Sequence, residues 1–285
     1  MSGPLLDVEN LEVAFGGGYI KAVRGVSFTL GREKLGIVGE SGSGKSTVGR
    51  AIMRLLPSTA KITSSRLQFG GVDLAKASEQ QMMAIRGRRI GLILQDPKYS
   101  LNPVMRVCEQ IAETYLLHYP QGGGQKAARQ KMLEMLAAVQ IRDPERVARL
   151  YPHEVSGGMG QRIMIAMMLI AEPEVLIADE PTSALDVTVR LEVLALLDDL
   201  IRRRNLGLIF ISHDLNLVRG FCDRVLIMYA GRIVETLKAS ELDRARHPYT
   251  QGLLASLPSI DRPPAPLPTL ERDPSWAMDA PEAGR

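Results

Sequence analysis

The sequence predicts an α/β protein with an antiparallel β portion near its amino end and an α-helical subdomain inserted into the sheet. Three observations predict this class. Short apolar runs recur along the chain, as strands of a parallel sheet covered on both faces require. One of these runs feeds a glycine-rich loop that opens a helical stretch. The stretch from Asp96 to Ala171 holds amphipathic runs and no convincing strand.

Taken in order, Leu5 to Leu30 alternates apolar and polar positions. Gly16, Gly17 and Gly18 form a turn between Leu11–Phe15 and Ile20–Leu30, which reads as antiparallel sheet. Leu35 to Val38 is the strand before the glycine-rich loop, and Val48 to Leu56 reads as a helix stopped by Pro57. Further buried strands are predicted at Ile90–Leu94, Val175–Ala178, Leu208–Ile211 and Val225–Met228. Val107–His118 and Lys126–Val139 are the amphipathic runs of the insertion. The expected division is a first core part over 1–95, a helical part over 96–171, a second core part over 172–240 and a carboxy-terminal extension over 241–285. Seven of the 17 prolines follow Leu257, so an extended or disordered tail is expected there, with Trp276 its only large aromatic. No internal repeat is visible, so the chain holds one copy of its site.

Composition excludes little. Of 285 residues, 45% are hydrophobic and 24% charged, enough for a sizeable core. A net charge of +3 suits anionic phosphates or a membrane surface and specifies neither. The longest apolar run, Ile163–Ala171, is about half of the roughly 20 residues a bilayer span needs. Met1–Asn10 lacks the basic-then-apolar order of a signal peptide. Cys108 and Cys222 have no CxxC spacing and are expected to be reduced, buried thiols. A cytoplasmic protein that reaches any membrane by docking is the expectation.

Gly39-Glu40-Ser41-Gly42-Ser43-Gly44-Lys45-Ser46, followed by Thr47, matches G-x-x-x-x-G-K-[ST] between a strand and a helix. Glycines let successive backbone N–H groups turn inward around phosphate oxygens, and a helix N-terminus adds its positive end. Lys45 would reach the β- and γ-phosphates of ATP, and the Ser46 hydroxyl would ligate Mg²⁺. Val175–Ala178 ends in Asp179-Glu180. Asp179 can hold Mg²⁺ through its water shell, and the adjacent Glu180 can polarise the attacking water. Alone, the pair is a strand end meeting solvent; beside a phosphate loop it argues for hydrolysis over mere binding.

Ser156-Gly157-Gly158-Met159, after Val155, precedes the apolar Ile163–Ala171 and reads as an N-cap followed by bare backbone donors. At this point the sequence resembles the ATP-binding-cassette ATPases, through Pro258. Gln95 matches the family's Q-loop, Ser183-Ala184-Leu185-Asp186 its D-loop and His213 its switch histidine. Phe15 stands where the family stacks adenine, with Tyr19 a weaker candidate. The signature departs slightly, with Val155 for Leu and Met159 for the commonest Gln. The resemblance implies a phosphate-loop ATPase core with an antiparallel β subdomain. It also implies that Ser156, Gly157, Gly158 and Met159 complete a partner subunit's ATP site, and that hydrolysis opens the resulting dimer. By the same likeness Gln95 would sense the γ-phosphate or metal, His213 would hold γ-phosphate and water in line, and Asp186, in the D-loop that Ser183 opens, would couple the two sites.

Within that family, Gln95–Pro103, Ala178–Val189 and His247-Pro248-Tyr249-Thr250 look like the peptide and nickel importer branch. Di- or oligopeptides are the leading substrate class, with nickel, glutathione or another small solute as alternatives. An accessory cassette of a soluble enzyme complex, such as carbon–phosphorus lyase, is the reading of a different class. No cysteine follows Cys222, so the iron–sulfur cluster carried by many members is not expected. The implied partners are a second, identical or similar ATPase subunit, two membrane permeases and an extracytoplasmic solute-binding protein, with no nucleic acid. The implied location is peripheral, on the cytoplasmic face of the cell membrane.

Overall fold

The computed structural model describes residues 3–257, 273 and 276. They fall into two units, Met1–Ala77 joined by Ile209–Arg285, and Ser78–Leu208.

The first unit opens with Leu6–Phe15 (β1) and Ile20–Leu30 (β2), an antiparallel pair that runs from Leu6 opposite Leu30 to Phe15 opposite Ile20 with register shifts on the way. Leu6, Val8, Leu11 and Val13 are buried from β1, the alternation the sequence predicts except for one step between Val8 and Leu11, where Asn10 takes a left-handed backbone at φ +51°. Lys34–Val38 (β3) leads through the glycine-rich loop into Lys45–Ile52 (α1). The helix starts three residues before the predicted Val48 and stops before Leu56. Arg54 adopts left-handed backbone at φ +51°, and the Leu55 N–H turns back to the Arg50 carbonyl at 2.8 Å. Lys61–Thr63 (β4), Arg66–Phe69 (β5) and Val72–Asp73 (β6) complete the antiparallel sheet in the order β2-β1-β5-β6, with β4 also on β1. Each is too short for an alternating pattern to stand out, and the sequence reading has no strand there.

The second unit begins with Glu79–Ile85 (α2), whose Ser78 and Gln81 form a reciprocal capping box. Ile90–Ile93 (β7) is followed by Pro97–Ser100 (α3), Val107–His118 (α4), Gly124–Ala138 (α5), Pro144–Ala148 (α6) and Gly157–Leu169 (α7). Val175–Asp179 (β8) pairs parallel with β7, Ile93 opposite Ala178. Val187–Arg204 (α8) follows. Helices α4 and α5 pack together, with Ile111 of α4 and Ala128, Met132 and Leu136 of α5 buried, while Ile163, Met164, Ile165 and Ala166 bury nearly every face of α7.

The chain then returns to the first unit with Gly207–Ser212 (β9), Leu215–Phe221 (α9), Arg224–Tyr229 (β10), Arg232–Lys238 (β11) and Pro248–Ala255 (α10). Here the strand order is β11-β10-β3-β9, with β3 and β10 parallel and β11 antiparallel on the edge. The three inner strands are buried almost throughout, which is why they read as continuous apolar runs.

Both cysteines are free. Cys222 is buried as expected; Cys108 is only half-buried, because it sits near the start of α4 on a cleft bordered by α5 and α6. Among the described residues no helix is long and apolar enough to cross a membrane. Apart from Asp273 and Trp276, the predicted tail after Leu257 lies outside the described residues.

Candidate functional site

The loop after β3 is shaped by close approach. A Cβ on Gly39 would lie 2.1 Å from the Met228 carbonyl oxygen at the end of β10. Gly44, at φ +98°, would put one 2.4 Å from the Ala22 carbonyl oxygen. Only glycine fits either position. The loop is tied to its neighbours by Ser43 N–H to the Glu40 carbonyl (3.2 Å) and Gly231 N–H to the Ser43 carbonyl (3.0 Å). Gly44 is the N-cap of α1 and supplies no capping side chain.

Lys45 is only 6% exposed. Its ammonium donates to the carbonyls of Gly39 (2.8 Å) and Glu40 (2.7 Å) and to Ser43 Oγ (3.4 Å). A buried cation is costly unless its donors are met. The loop meets them with its own oxygens and so holds the charge at its centre. Ser41 and Gly42 are exposed, and Ser46 and Thr47 half-buried, on the open side of the loop and the first turn of α1.

Two other predicted residues belong to this unit. Ala22 touches the loop and lies two residues after Ile20, the register partner of Phe15, so the β1–β2 hairpin tip stands beside the loop. Phe15 there is half-buried, whereas Tyr19 is 94% exposed. His213 follows β9, neighbour of β3, and is exposed. Ser212 Oγ accepts from the Asp214 N–H (3.0 Å), and Asp214 caps α9, which fixes the turn carrying the histidine.

A fourth contact to the loop escaped the sequence reading. The Glu40 N–H donates to the Tyr249 hydroxyl at 3.1 Å, across 209 residues. His247-Pro248-Tyr249-Thr250 stands out in the sequence, but no periodicity or spacing links it to the loop.

In the second unit, Asp179 is 5% exposed at the end of β8. Glu180 follows with φ +48°, a left-handed backbone that a non-glycine residue rarely adopts and that costs about 1–2 kcal/mol. The turn is held by Ser183, whose N–H (3.2 Å) and Oγ (3.1 Å) both donate to the Glu180 carbonyl. Asp179 is thus sealed at the strand end, and Glu180 is half-buried in the turn beyond it. Gln95 leaves the same edge of the β7–β8 pair and is exposed. Asp96 then caps α3 by accepting from the Lys98 N–H (2.8 Å).

Ser156 caps α7: its Oγ accepts from the Met159 N–H at 3.3 Å. A serine hydroxyl that accepts still has its own proton to donate. Ser156 and Gly157 are exposed, and Gly158 and Met159 half-buried. Beneath them a Cβ on Gly158 would meet Val189 at 2.5 Å, and one on Gly160 would meet Pro97 at 3.5 Å. The signature turn is thus seated on the start of α8, which Asp186 caps through the Val189 N–H (3.0 Å), and on α3. A cleft of about 780 Å³ beside it is lined by Ser156, Met159, Arg142, Arg146 and Arg162, among others.

Among the described residues, no group of three or more His, Cys, Asp or Glu side chains is placed to hold a metal ion. Ser46 in the first unit, and Gln95 and Asp179 in the second, each carry a hard oxygen donor, the ligand type that Mg²⁺ takes.

The ABC transporter family pattern matches residues 23–183. The oligopeptide transport ATP-binding protein OppD of Bacillus subtilis is 47% identical over 90% of this chain and 73% of its own length. The dipeptide transport ATP-binding protein DppD of the same organism is 46% identical over 95% and 82%. OppD of Salmonella typhimurium is 44% identical over 98% and 83%. Among solved structures, the ATP-binding cassette MJ0796 in a dimeric post-hydrolysis state, bound to ADP and Pi, superposes with a TM-score of 0.73 at 26% identity. That match covers 82% of this chain and 98% of that one. The cbiO1 subunit of Clostridium perfringens gives 0.74 at 26% identity, over 85% and 92%.

Proposed function

The chain belongs to the ABC transporter family as an ATP-hydrolysing subunit, and on that premise we propose that it powers import of di- or oligopeptides by closing on ATP against a second cassette. One observation carries the ATP site. The Lys45 ammonium is buried at the centre of a loop whose Gly39 and Gly44 cannot be replaced without collision. A triphosphate entering that loop exchanges neutral carbonyl partners of Lys45 for anionic oxygens, a stronger pairing.

Gly39 to Thr47 bind the phosphates, and Phe15 on the hairpin tip stacks the adenine. Ser46, Asp179 and Gln95 would hold Mg²⁺, which would supply positive charge against the phosphates. Glu180 takes the proton of the attacking water, and His213 keeps that water and the γ-phosphate in line. Ser156 to Met159 present a capped helix end to the nucleotide of the partner cassette, while Ser183 and Asp186 relay between the sites. The substrate class follows these relatives, which are oligopeptide and dipeptide transport ATP-binding proteins. Two permeases and an extracytoplasmic binding protein complete the assembly, with this chain on the cytoplasmic face of the membrane. The expected functional pieces remain 1–95, 96–171, 172–240 and 241–285.

Glu180→Gln tests the hydrolytic part. Turnover should fall by about 10²–10⁴-fold while Mg-ATP still binds and a closed dimer accumulates in light scattering. Unimpaired turnover removes Glu180 from the base role. For the import reading, the complex isolated from membranes should raise its ATPase rate with di- or oligopeptides and their binding protein; stimulation by a non-peptide solute alone rejects it.

A further inference from the structure

The peptide between Gly39 and Glu40 is gripped at both ends. Its carbonyl accepts from Lys45 Nζ at 2.8 Å, and its N–H donates to the Tyr249 hydroxyl at 3.1 Å. A peptide is a rigid plane, so fixing the N–H fixes the direction of the carbonyl. Tyr249 is wholly buried and lies outside the phosphate-binding motif, in α10.

The placement of Tyr249 is itself built. The Glu235 carboxylate on β11 accepts from the N–H groups of Arg246 (2.7 Å) and His247 (3.3 Å). His247 Nδ1 caps the helix through the Tyr249 N–H at 3.1 Å, and Pro248 starts it. The Tyr249 ring meets that of Tyr229, at the end of β10, with centroids 4.6 Å apart. Trp276 closes the cluster edge-on, its centroid 5.9 Å from Tyr229, 5.9 Å from His247 and 6.0 Å from Tyr249. A large aromatic in a proline-rich sequence thus covers the residue that braces the loop.

We propose that Tyr249 is a positioning residue of the ATP site: its hydroxyl sets the Gly39–Glu40 peptide, and with it Lys45, while Trp276 locks the tyrosine in place. This rests on the reading of Gly39–Thr47 as the phosphate site. Without the hydroxyl the peptide can turn, and ATP binding must bear the cost of ordering it. The carboxy-terminal segment then tunes nucleotide affinity without touching nucleotide.

The test titrates the full-length chain with Mg-ATP in a calorimeter and measures the ATPase rate against ATP concentration. Tyr249→Phe keeps the ring and should weaken ATP binding about threefold to tenfold, the loss expected of one buried hydrogen bond. KM should rise in step while kcat stays within about twofold, and the melting temperature should move by no more than roughly 3 °C. Trp276→Ala should shift affinity the same way by about twofold, as a side chain acting through another does. A role confined to stability would lower melting temperature and leave KM alone, which overturns the proposal. Lys45→Ala serves as reference. If it abolishes binding while Tyr249→Phe binds like the native chain, this inference fails and the phosphate site stands; if neither changes binding, the phosphate site itself is wrong. Should Tyr249→Phe not fold, Trp276→Ala decides, an unchanged KM counting against the proposal.

Discussion

The phosphate loop and the signature turn are both glycine-rich segments leading into helix N-termini, yet they are held in opposite ways. At Gly39–Thr47 two of the glycines, Gly39 and Gly44, are demanded by backbone pressing on backbone, from Met228 and Ala22, and the cap of α1 has no side chain. At Ser156–Met159 the helix is capped by its own serine, and Gly157 has nothing closer than Leu185 at 3.7 Å from where a Cβ would stand. In the first, the buried charge, its acceptors and the backbone walls all come from one unit. The second is finished as a helix end but open as a binding surface. A capped, exposed turn does not need a ligand to be stable, so it can wait for another subunit's nucleotide. An uncapped loop around a buried ammonium is built for a ligand of its own.

The largest effect should come from Gly39→Ala, which sets a methyl against the Met228 carbonyl with no side chain able to yield. It should cost about 3 kcal/mol or more, roughly 6–12 °C in melting temperature by differential scanning calorimetry, with ATP binding lost. Next, Ser156→Ala should leave ATP binding to the single chain unchanged by calorimetry, yet cut turnover of the assembled dimer about 10- to 100-fold, as loss of a hydrogen bond to an anion does. Weakened binding in the single chain would erase the distinction between the two turns. In stability the same variant should lose only about 1 kcal/mol, the worth of a cap. Gly157→Ala should change stability by less than about 0.5 kcal/mol, read by urea unfolding; a drop like that of Gly39→Ala would show that the signature turn is also closed by its surroundings. Smallest is a chemical contrast between the units. Burial pushes the Cys222 thiol up to about 12, and Cys222 lies where a side chain on Gly36 of β3 would touch it. At pH 8 it should therefore stay protonated and resist a thiol reagent until the protein unfolds, while half-buried Cys108 is labelled in the native state.

Much of this was legible because a few residues dictate both chemistry and shape. The three inner strands around the loop announce themselves as Leu35–Val38, Leu208–Ile211 and Val225–Met228, since a strand covered on both faces has no polar alternation to obscure it. The Ser156 cap was readable because a serine ahead of glycines has few other local uses. The start of α1 was misplaced because its first turn, Lys45-Ser46-Thr47, is polar for the loop's sake and breaks the apolar period. Strands β4 to β6 are too short to show a pattern, and β11, half-exposed on an edge, shows a blurred one. The left-handed backbone at Glu180 has no marker in composition, since glycine would have been the signal and glutamate is what the chemistry uses. Tyr249 was hidden for another reason: a hydrogen bond between residues 209 positions apart leaves no trace in either neighbourhood.

That separation has a consequence for how the protein is born. The loop's motif emerges from the ribosome before three of the residues that mould it, Met228, Gly231 and Tyr249. At about 5–20 residues per second, roughly 10–40 s pass between the synthesis of Glu40 and that of Tyr249. Over that interval the nascent chain displays a nucleotide-binding motif without its Met228 wall or its Tyr249 brace, so the finished loop waits on residues made up to 209 positions later.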